Sequence, residues 1–313
     1  MEIVENIYQF RTDTPFRYPL NTYLIDDEKM CLIDVDAEVI PTKFLAELKK
    51  IGKKIEDIDY ILVTHLHLEH IRSLGYFRRH APNCQILTGP QNAHYLESFE
   101  KIFSEVFQEG QNEFQNIPGV FEFYYDQFSP IKTIKVDKII QGNEKLSLGD
   151  HTLTVLETPG HAAEELTFYC EENQIYFSSD FIIGEEIEPW IAINPIIYAY
   201  SGNRKQYFES LQKVAQLKEK IKMILPAHGA IIYNPKEKIE KLQELSMKAP
   251  EKALAILKAG PKTLDELISL FFKKKIERTR KFYTMARMMR ALLIYLVDEK
   301  RVIKKKDKYF INH

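Results

Sequence analysis

Three histidines and a glutamate crowd into the run Thr64-His65-Leu66-His67-Leu68-Glu69-His70, and the crowding leaves few folds open. The run follows at once on Asp59-Tyr-Ile-Leu-Val, a short apolar segment that reads as a buried strand. Ile71 to His80 after it reads as a helix. A loop between a buried strand and a helix can aim several side chains at one point above a sheet edge. Imidazole and carboxylate are the usual ligands of zinc and neighbouring transition metals. Two histidines at i and i+2 can share one ion, and a carboxylate and a third histidine further on can reach a second.

Three later segments repeat the placement. Thr158-Pro159-Gly160-His161 follows the expected strand Thr152–Glu157. Ser178-Ser179-Asp180 ends the expected strand Gln174–Ser178, and Pro226-Ala227-His228-Gly229 follows the short strand Met223–Leu225. Each puts a metal-capable residue just past the carboxyl end of a strand, where layered α/β domains expose their functional loops.

In this order the motifs resemble the metallo-β-lactamase superfamily, whose signature is His-x-His-x-Asp-His followed by separate His, Asp and His. The resemblance covers roughly residues 1–245. It implies a four-layer αββα sandwich, an α/β fold, with two divalent transition-metal ions at one edge of its sheets. Zinc is the expected metal, with iron and manganese as alternatives. Carried over by position, His65, His67 and His161 would hold the first ion. His70, His228 and the carboxylate of Glu69 would hold the second, and Asp180 would bridge the two. This chain departs from the family at Glu69, where the motif has Asp. The extra methylene shifts the carboxylate by about a bond length against a tolerance of about 0.2 Å in metal–oxygen distance. Retained binding after backbone adjustment is the expectation, and a weaker second site the alternative. A metal-bound hydroxide would be the nucleophile, so no serine or cysteine is needed. Asp180 and Glu69 are the residues expected to act in catalysis, orienting the nucleophile or moving protons. Asp34, ending the run Leu32-Ile-Asp, is a candidate orienter of a ligand histidine. His80, His94, His151 and His313 lie outside the motifs and are read as ordinary structural or surface residues.

Beyond the motifs, strands and helices mix throughout 1–245, as expected of a layered α/β domain. Residues 91–130 read as an aromatic-rich helical insert containing Tyr95, Phe99, Phe103 and Phe107. Core packing is its first reading. A lid or a homodimer surface is the second, and its apolar character suits an acyl or other hydrophobic substrate. Trp190, Tyr198 and Tyr200 stand where family members place substrate-facing residues, although core packing is again the simpler reading.

Residues 246–313 differ in kind. Helices are expected over Pro250–Gly260, Thr263–Phe272 and Phe282–Asp298, ahead of a small hairpin. Three helices and a terminal hairpin describe a winged helix, and this tail resembles the extension on one branch of the superfamily. The charge divides with it: from Glu251 onward there are 17 Lys/Arg and 7 Asp/Glu, a net of +10, against a net of -12 for residues 1–250. A basic tail can contact phosphates, here through Lys273, Lys274, Lys275, Arg278, Arg280, Lys281, Arg287 and Arg290. Packing against the main domain is the competing reading.

Three cysteines, Cys31, Cys84 and Cys170, form no CxxC pair and suggest a reducing compartment. No leader pattern and no long apolar span is visible, so a cytoplasmic protein without membrane contact is expected. The reaction expected is metal-dependent hydrolysis of a small-molecule substrate, an ester, thioester or lactone. A metal-dependent ribonuclease, and a catalytically weak metal-dependent nucleic-acid-binding regulator, are the alternatives.

Overall fold

The computed structural model describes residues 1–14, 18–36, 38–98, 101, 133–185, 202–273 and 280–312. Most of the expected aromatic insert, Trp190, Tyr198 and Tyr200, Lys274 and Lys275, Arg278 and His313 lie outside the described residues.

Two sheets form the centre. The first has seven strands in chain order: β1 (Glu2–Val4), β2 (Ile7–Thr12), β3 (Leu20–Ile25), β4 (Cys31–Ile33), β5 (Tyr60–Leu62), β6 (Gln85–Thr88) and β7 (Lys138–Ile139). The second has five: β8 (Lys145–Ser147), β9 (Thr152–Glu157), β10 (Leu166–Cys170), β11 (Ile175–Ser179) and β12 (Met223–Pro226), in the order β12-β11-β10-β9-β8. Strands β4, β5, β6 and β7 are mutually parallel. In the second sheet β10 is antiparallel to both β9 and β11, and β11 is parallel to β12. The carboxyl ends of β9, β11 and β12 therefore point the same way, and the residues that follow them gather at one edge.

Apolar alternation explains the layering. Ile7, Tyr23, Ile25, Leu62 and Leu87 from the first sheet meet Leu153, Val155, Phe168, Phe177 and Leu225 from the second in one buried cluster. Tyr23 and Phe177 pack edge-to-face across the sheets with centroids 5.6 Å apart. The opposite face of the first sheet is covered by α1 (Thr42–Lys50), α3 (Leu74–His80) and α4 (Pro90–Leu96), which bury Phe44, Leu48, Phe77 and Leu96. A single turn, α2 (Leu68–Ile71), precedes α3. The outer face of the second sheet is covered by α5 (Arg204–Ala215) and α6 (Pro235–Lys258) through Tyr207, Leu211, Val214, Ile239 and Leu242. This helix–sheet–sheet–helix order is the αββα sandwich that the motifs imply. Each fully buried large apolar side chain contributes about 1.5–3 kcal/mol.

Two helix expectations change. The helix expected over Ile71–His80 starts at Leu74, after the turn α2 that ends on Ile71, and His70 lends its carbonyl to the Val35 amide (3.3 Å), which ties this turn to the sheet edge. The helix expected to begin at Pro250 is the second half of one 24-residue helix, α6, which starts at Pro235. Proline lacks the N–H that would bond the carbonyl four residues back. That carbonyl, Ser246 O, instead accepts a hydrogen bond from Arg204 Nη2 (3.0 Å) on α5. The helix thus continues across residue 245, the expected boundary between modules.

The second half of α6 packs with α7 (Leu264–Phe272) and α8 (Arg280–Asp298) in a separate core that includes Leu257, Leu267, Phe271, Met289 and Leu296. Thr263 and Glu266 form a reciprocal capping box at the start of α7. A three-stranded sheet, β13 (Lys262–Thr263), β15 (Lys308–Ile311) and β14 (Val302–Lys305), completes this part. Among the described residues no helix is long and apolar enough to cross a membrane.

Candidate metal centre

The loops after β5, β9, β11 and β12 meet at the common edge. Their side chains form two groups of ligand atoms, each mutually within 4.8 Å: His65, His67, His161 and Asp180, and Glu69, His70 and His228. Asp180 also reaches across the second group. Its Oδ2 lies 3.3 Å from His161 Nε2, while its Oδ1 lies 3.5 Å from His228 Nε2 and 3.8 Å from His70 Nε2. Glu69 Oε1 lies 3.9 Å from His228 Nε2, so the longer side chain does bring its carboxylate to the second group. The structure therefore brings together all seven residues expected at a metal site.

Three of the five histidines are oriented through their outer nitrogen, and His67 Nδ1 and His161 Nε2 lie 2.9 Å apart. His70 Nδ1 is 2.7 Å from Asp34 Oδ2, and Asp34 also accepts the Thr64 amide and hydroxyl, both at 2.9 Å. Asp34 thus occupies the orienting position expected of it. His65 Nδ1 lies 3.0 Å from Thr64 Oγ1 and 3.3 Å from Ser179 Oγ. His228 Nδ1 donates to Pro19 O at 2.7 Å, which turns Nε2 toward Asp180. Tight backbone packing holds two of the loops. A Cβ on Gly160 would lie 2.3 Å from Tyr207 Cα, and one on Gly229 would lie 2.7 Å from Gly184, so neither position tolerates a side chain.

Electrostatics sort the donors. Burial, reinforced by neighbouring imidazoles, pushes His65 and His67 well below the usual histidine range and keeps them neutral. For His70 burial acts in the same direction, but the Asp34 and Asp180 carboxylates outweigh it and raise the group to about 9. Burial alone would raise Asp180. The surrounding His228, His70, His161 and His67 overcome it and hold the carboxyl at about 2.

His65 Nε2, His70 Nε2 and Asp180 Oδ1 are buried at this point with no hydrogen-bond partner among the described residues. An unsatisfied buried polar atom costs about 1–3 kcal/mol, and three converging at one point need a shared partner. A cation answers that need, and imidazole with carboxylate is a donor set suited to divalent transition metals. The residues present fit such ions, and the cluster is compatible with two of them.

Sequence reading missed Glu165, which is fully buried beside Asp180. Its Oε1 accepts the Asp180 amide at 3.1 Å. Burial first, then the Asp180 charge, push Glu165 well above the usual carboxylate range. It also missed Glu164, whose carboxylate accepts the Gln91 and Asn92 amides (3.2 and 2.6 Å) at the start of α4. The available signal was an acidic pair heading the wholly buried strand Leu166–Cys170.

Comparison with known proteins agrees with this geometry. The family model of the metallo-beta-lactamase superfamily matches residues 17–228, and the chain belongs to that superfamily. It is 24% identical over 305 residues to the Bacillus subtilis protein named "Probable metallo-hydrolase YqjP", covering 90% of this chain and 89% of that protein. Over 100 residues it is 27% identical to the acyl-coenzyme A thioesterase MBLAC2 of Gallus gallus, 31% of this chain and 33% of that enzyme. The crystal structure of a metallo-beta-lactamase family protein from Thermus thermophilus superposes with a TM-score of 0.77 at 22% identity, covering 99% of this chain and 100% of the other. That likeness extends the shared fold through the C-terminal residues.

Proposed function

We propose that this chain is a metal-dependent hydrolase of small esters, thioesters or lactones. His65, His67 and His161 would hold one divalent ion, His70, His228 and Glu69 a second, and Asp180 both. The observation that carries the reading is the convergence of these donors with unpartnered buried atoms among them. When bound, such ions supply Lewis-acid polarisation of the scissile group and activation of water near neutral pH. The chain's own part is to present lone pairs and hold geometry. Burial keeps His65 and His67 neutral, and Asp34, Thr64 and the Pro19 carbonyl fix the rings. Asp180 spans the two groups. Glu69, with its side chain 17% exposed, joins the buried cluster to solvent and is suited to pass a proton outward. Zinc is the metal this donor set favours, and three free buried cysteines suit a reducing cytoplasm.

The thioesterase-named relative supports the thioester class. A panel of thioesters, lactones and phosphodiesters, run with metal-loaded and chelator-stripped protein, tests the reading. Thioester or lactone turnover that chelation abolishes is expected. Turnover indifferent to chelation would contradict it.

The order of α6, α7, α8 and the three-stranded sheet supports reading the C-terminal part as a winged helix. A nucleic-acid role has one observation of its own. Lys304, Lys305, Lys306 and Lys308 are all exposed around the β14–β15 turn. If they meet phosphates, RNA affinity falls steeply with salt as counterions are released. Undetectable binding at low salt would leave packing as the role of this part.

A further inference from the structure

The turn that carries Asp180 is not held by its own strand. Ser179, the last residue of β11, has φ +50°, a left-handed conformation in which a serine is strained. The strain swings the following residue out of the sheet and into the cluster. Something must hold a turn that its own residues disfavour. Ser179 Oγ donates to Thr64 Oγ1 at 2.9 Å, a contact from the neighbouring sheet. The Asp180 amide donates to Glu165 Oε1 at 3.1 Å.

Glu165 is itself rigidly placed. It is fully buried, and its carbonyl accepts the Thr158 amide at 2.9 Å. The next residue, Leu166, donates its amide to Thr64 O at 3.0 Å. The loop that bears His161 and the strand end that bears Asp180 are thereby joined through one carboxylate. The other groups that favour the carboxylate, the Ser179 side chain and His70, belong to the same cluster. Glu165 forms no ion pair among the described residues, and its Oε2 has no hydrogen-bond partner there. An apolar residue would fill the space at the head of this buried strand at lower desolvation cost.

We infer that Glu165 is the positioning residue of Asp180: by accepting the Asp180 amide it locks the left-handed Ser179 turn and aims the Asp180 carboxylate between His161 and His228. The inference rests on the metal reading above for its consequence, though not for its geometry. The acceptor oxygen is the operative feature. Glutamine keeps that acceptor, whereas methionine keeps only the volume.

The test compares E165Q and E165M with the parent in the full-length chain. Two readouts are taken. The first is hydrogen exchange at the Asp180 amide in metal-free protein. The second is zinc affinity by competition with a chromogenic chelator. E165M is expected to exchange the Asp180 amide at least about tenfold faster, and to lose about ten- to a hundredfold in zinc affinity, the usual cost of removing an orienting partner. E165Q is expected to stay within about threefold of the parent in both, an allowance below that cost. A merely structural role would lower the melting temperature of a variant without this contrast between the two. Exchange in E165M equal to the parent overturns the inference, as does a loss in E165Q matching that in E165M. If E165M does not fold, E165Q alone decides, since fast exchange in a folded E165Q also overturns it. If the parent binds no zinc, the metal reading fails while the exchange contrast still judges the positioning role.

Discussion

Two aspartate–histidine pairs stand at opposite ends of the same sandwich. At the motif end Asp34 Oδ2 lies 2.7 Å from His70 Nδ1. At the far end Asp27 Oδ2 lies 2.8 Å from His151 Nδ1. The pairs look alike in distance, yet the far one is only part-buried and their surroundings differ. Asp27 also accepts the Glu28, Asp150 and His151 amides (2.7, 3.1 and 2.8 Å), so it stitches the β3–β4 turn to the β8–β9 turn. A glycine, Gly149, takes the left-handed position there at φ +134°, and a Cβ would lie 2.3 Å from Asp27 Oδ1. At the motif end two non-glycine residues, Asp34 at φ +56° and Ser179 at φ +50°, share left-handed backbone with Gly160 and Gly229, and the far-end turns have their own in Asn6 and Gln174. The outer nitrogen of His70 is satisfied, but its Nε2 is buried without a hydrogen-bond partner among the described residues. An aspartate–histidine pair alone therefore marks nothing. Converging unpartnered atoms separate a site from a stitch.

The largest expected effect lies at the motif end. Asp180→Ala should lower kcat by about a hundredfold or more on any substrate the parent hydrolyses, because disturbing metal activation of water costs at least that much. Circular dichroism and melting should show a folded protein. Near-parental turnover in a folded variant would break the distinction between the two ends.

Replacing the two aspartates in turn sharpens it. Asp34→Ala should weaken metal binding by about ten- to a hundredfold, as expected when a ligand's orienting partner is lost. Asp27→Ala should leave metal affinity unchanged and cost about 1–3 kcal/mol of stability through the amides it leaves unsatisfied. Chelator competition and denaturant unfolding on both variants read the two effects separately. Equal losses of metal affinity would erase the contrast.

These differences also set what was legible in the sequence. The ligand residues could be read because each sits beside a short strand whose apolar pattern is plain, and because the family's motif order fixes their pairing. Strand β9 (Thr152–Glu157) spans the residues expected of it. Glu165 escaped because its role depends on a hydrogen bond to a strand end 15 residues away, which no local pattern encodes. His151 was read as structural without its partner, since Asp27 lies 124 residues from it. The break expected near Pro250 failed for a similar reason. A guanidinium 42 residues distant takes the carbonyl that proline leaves open. Local sequence describes elements well, and long-range polar contacts decide how they join.

A smaller effect concerns acid. Burial would raise Asp27, but amide and His151 hydrogen bonds outweigh it and lower the carboxyl from 3.8 to about 2. A group depressed in the folded state contributes stability above its unfolded pKa and loses it as pH falls through the folded value. The stabilising contribution of Asp27 is thus fully present above about pH 4 and fades toward pH 2. The stability difference between parent and Asp27→Asn, followed by denaturant unfolding, should shrink over that window. A difference that stays constant down to pH 2 would mean the carboxylate charge plays no part in the stitch.

The central claim is that the motif end holds two ions, with Glu69 replacing the family's aspartate. Elemental analysis of purified protein after reconstitution with zinc and removal of loose metal tests it most directly. The account predicts two equivalents per chain, falling in Asp180→Ala. A stable value near one, unchanged in Glu69→Asp, would contradict the second group, and a value near zero would contradict the site as a whole.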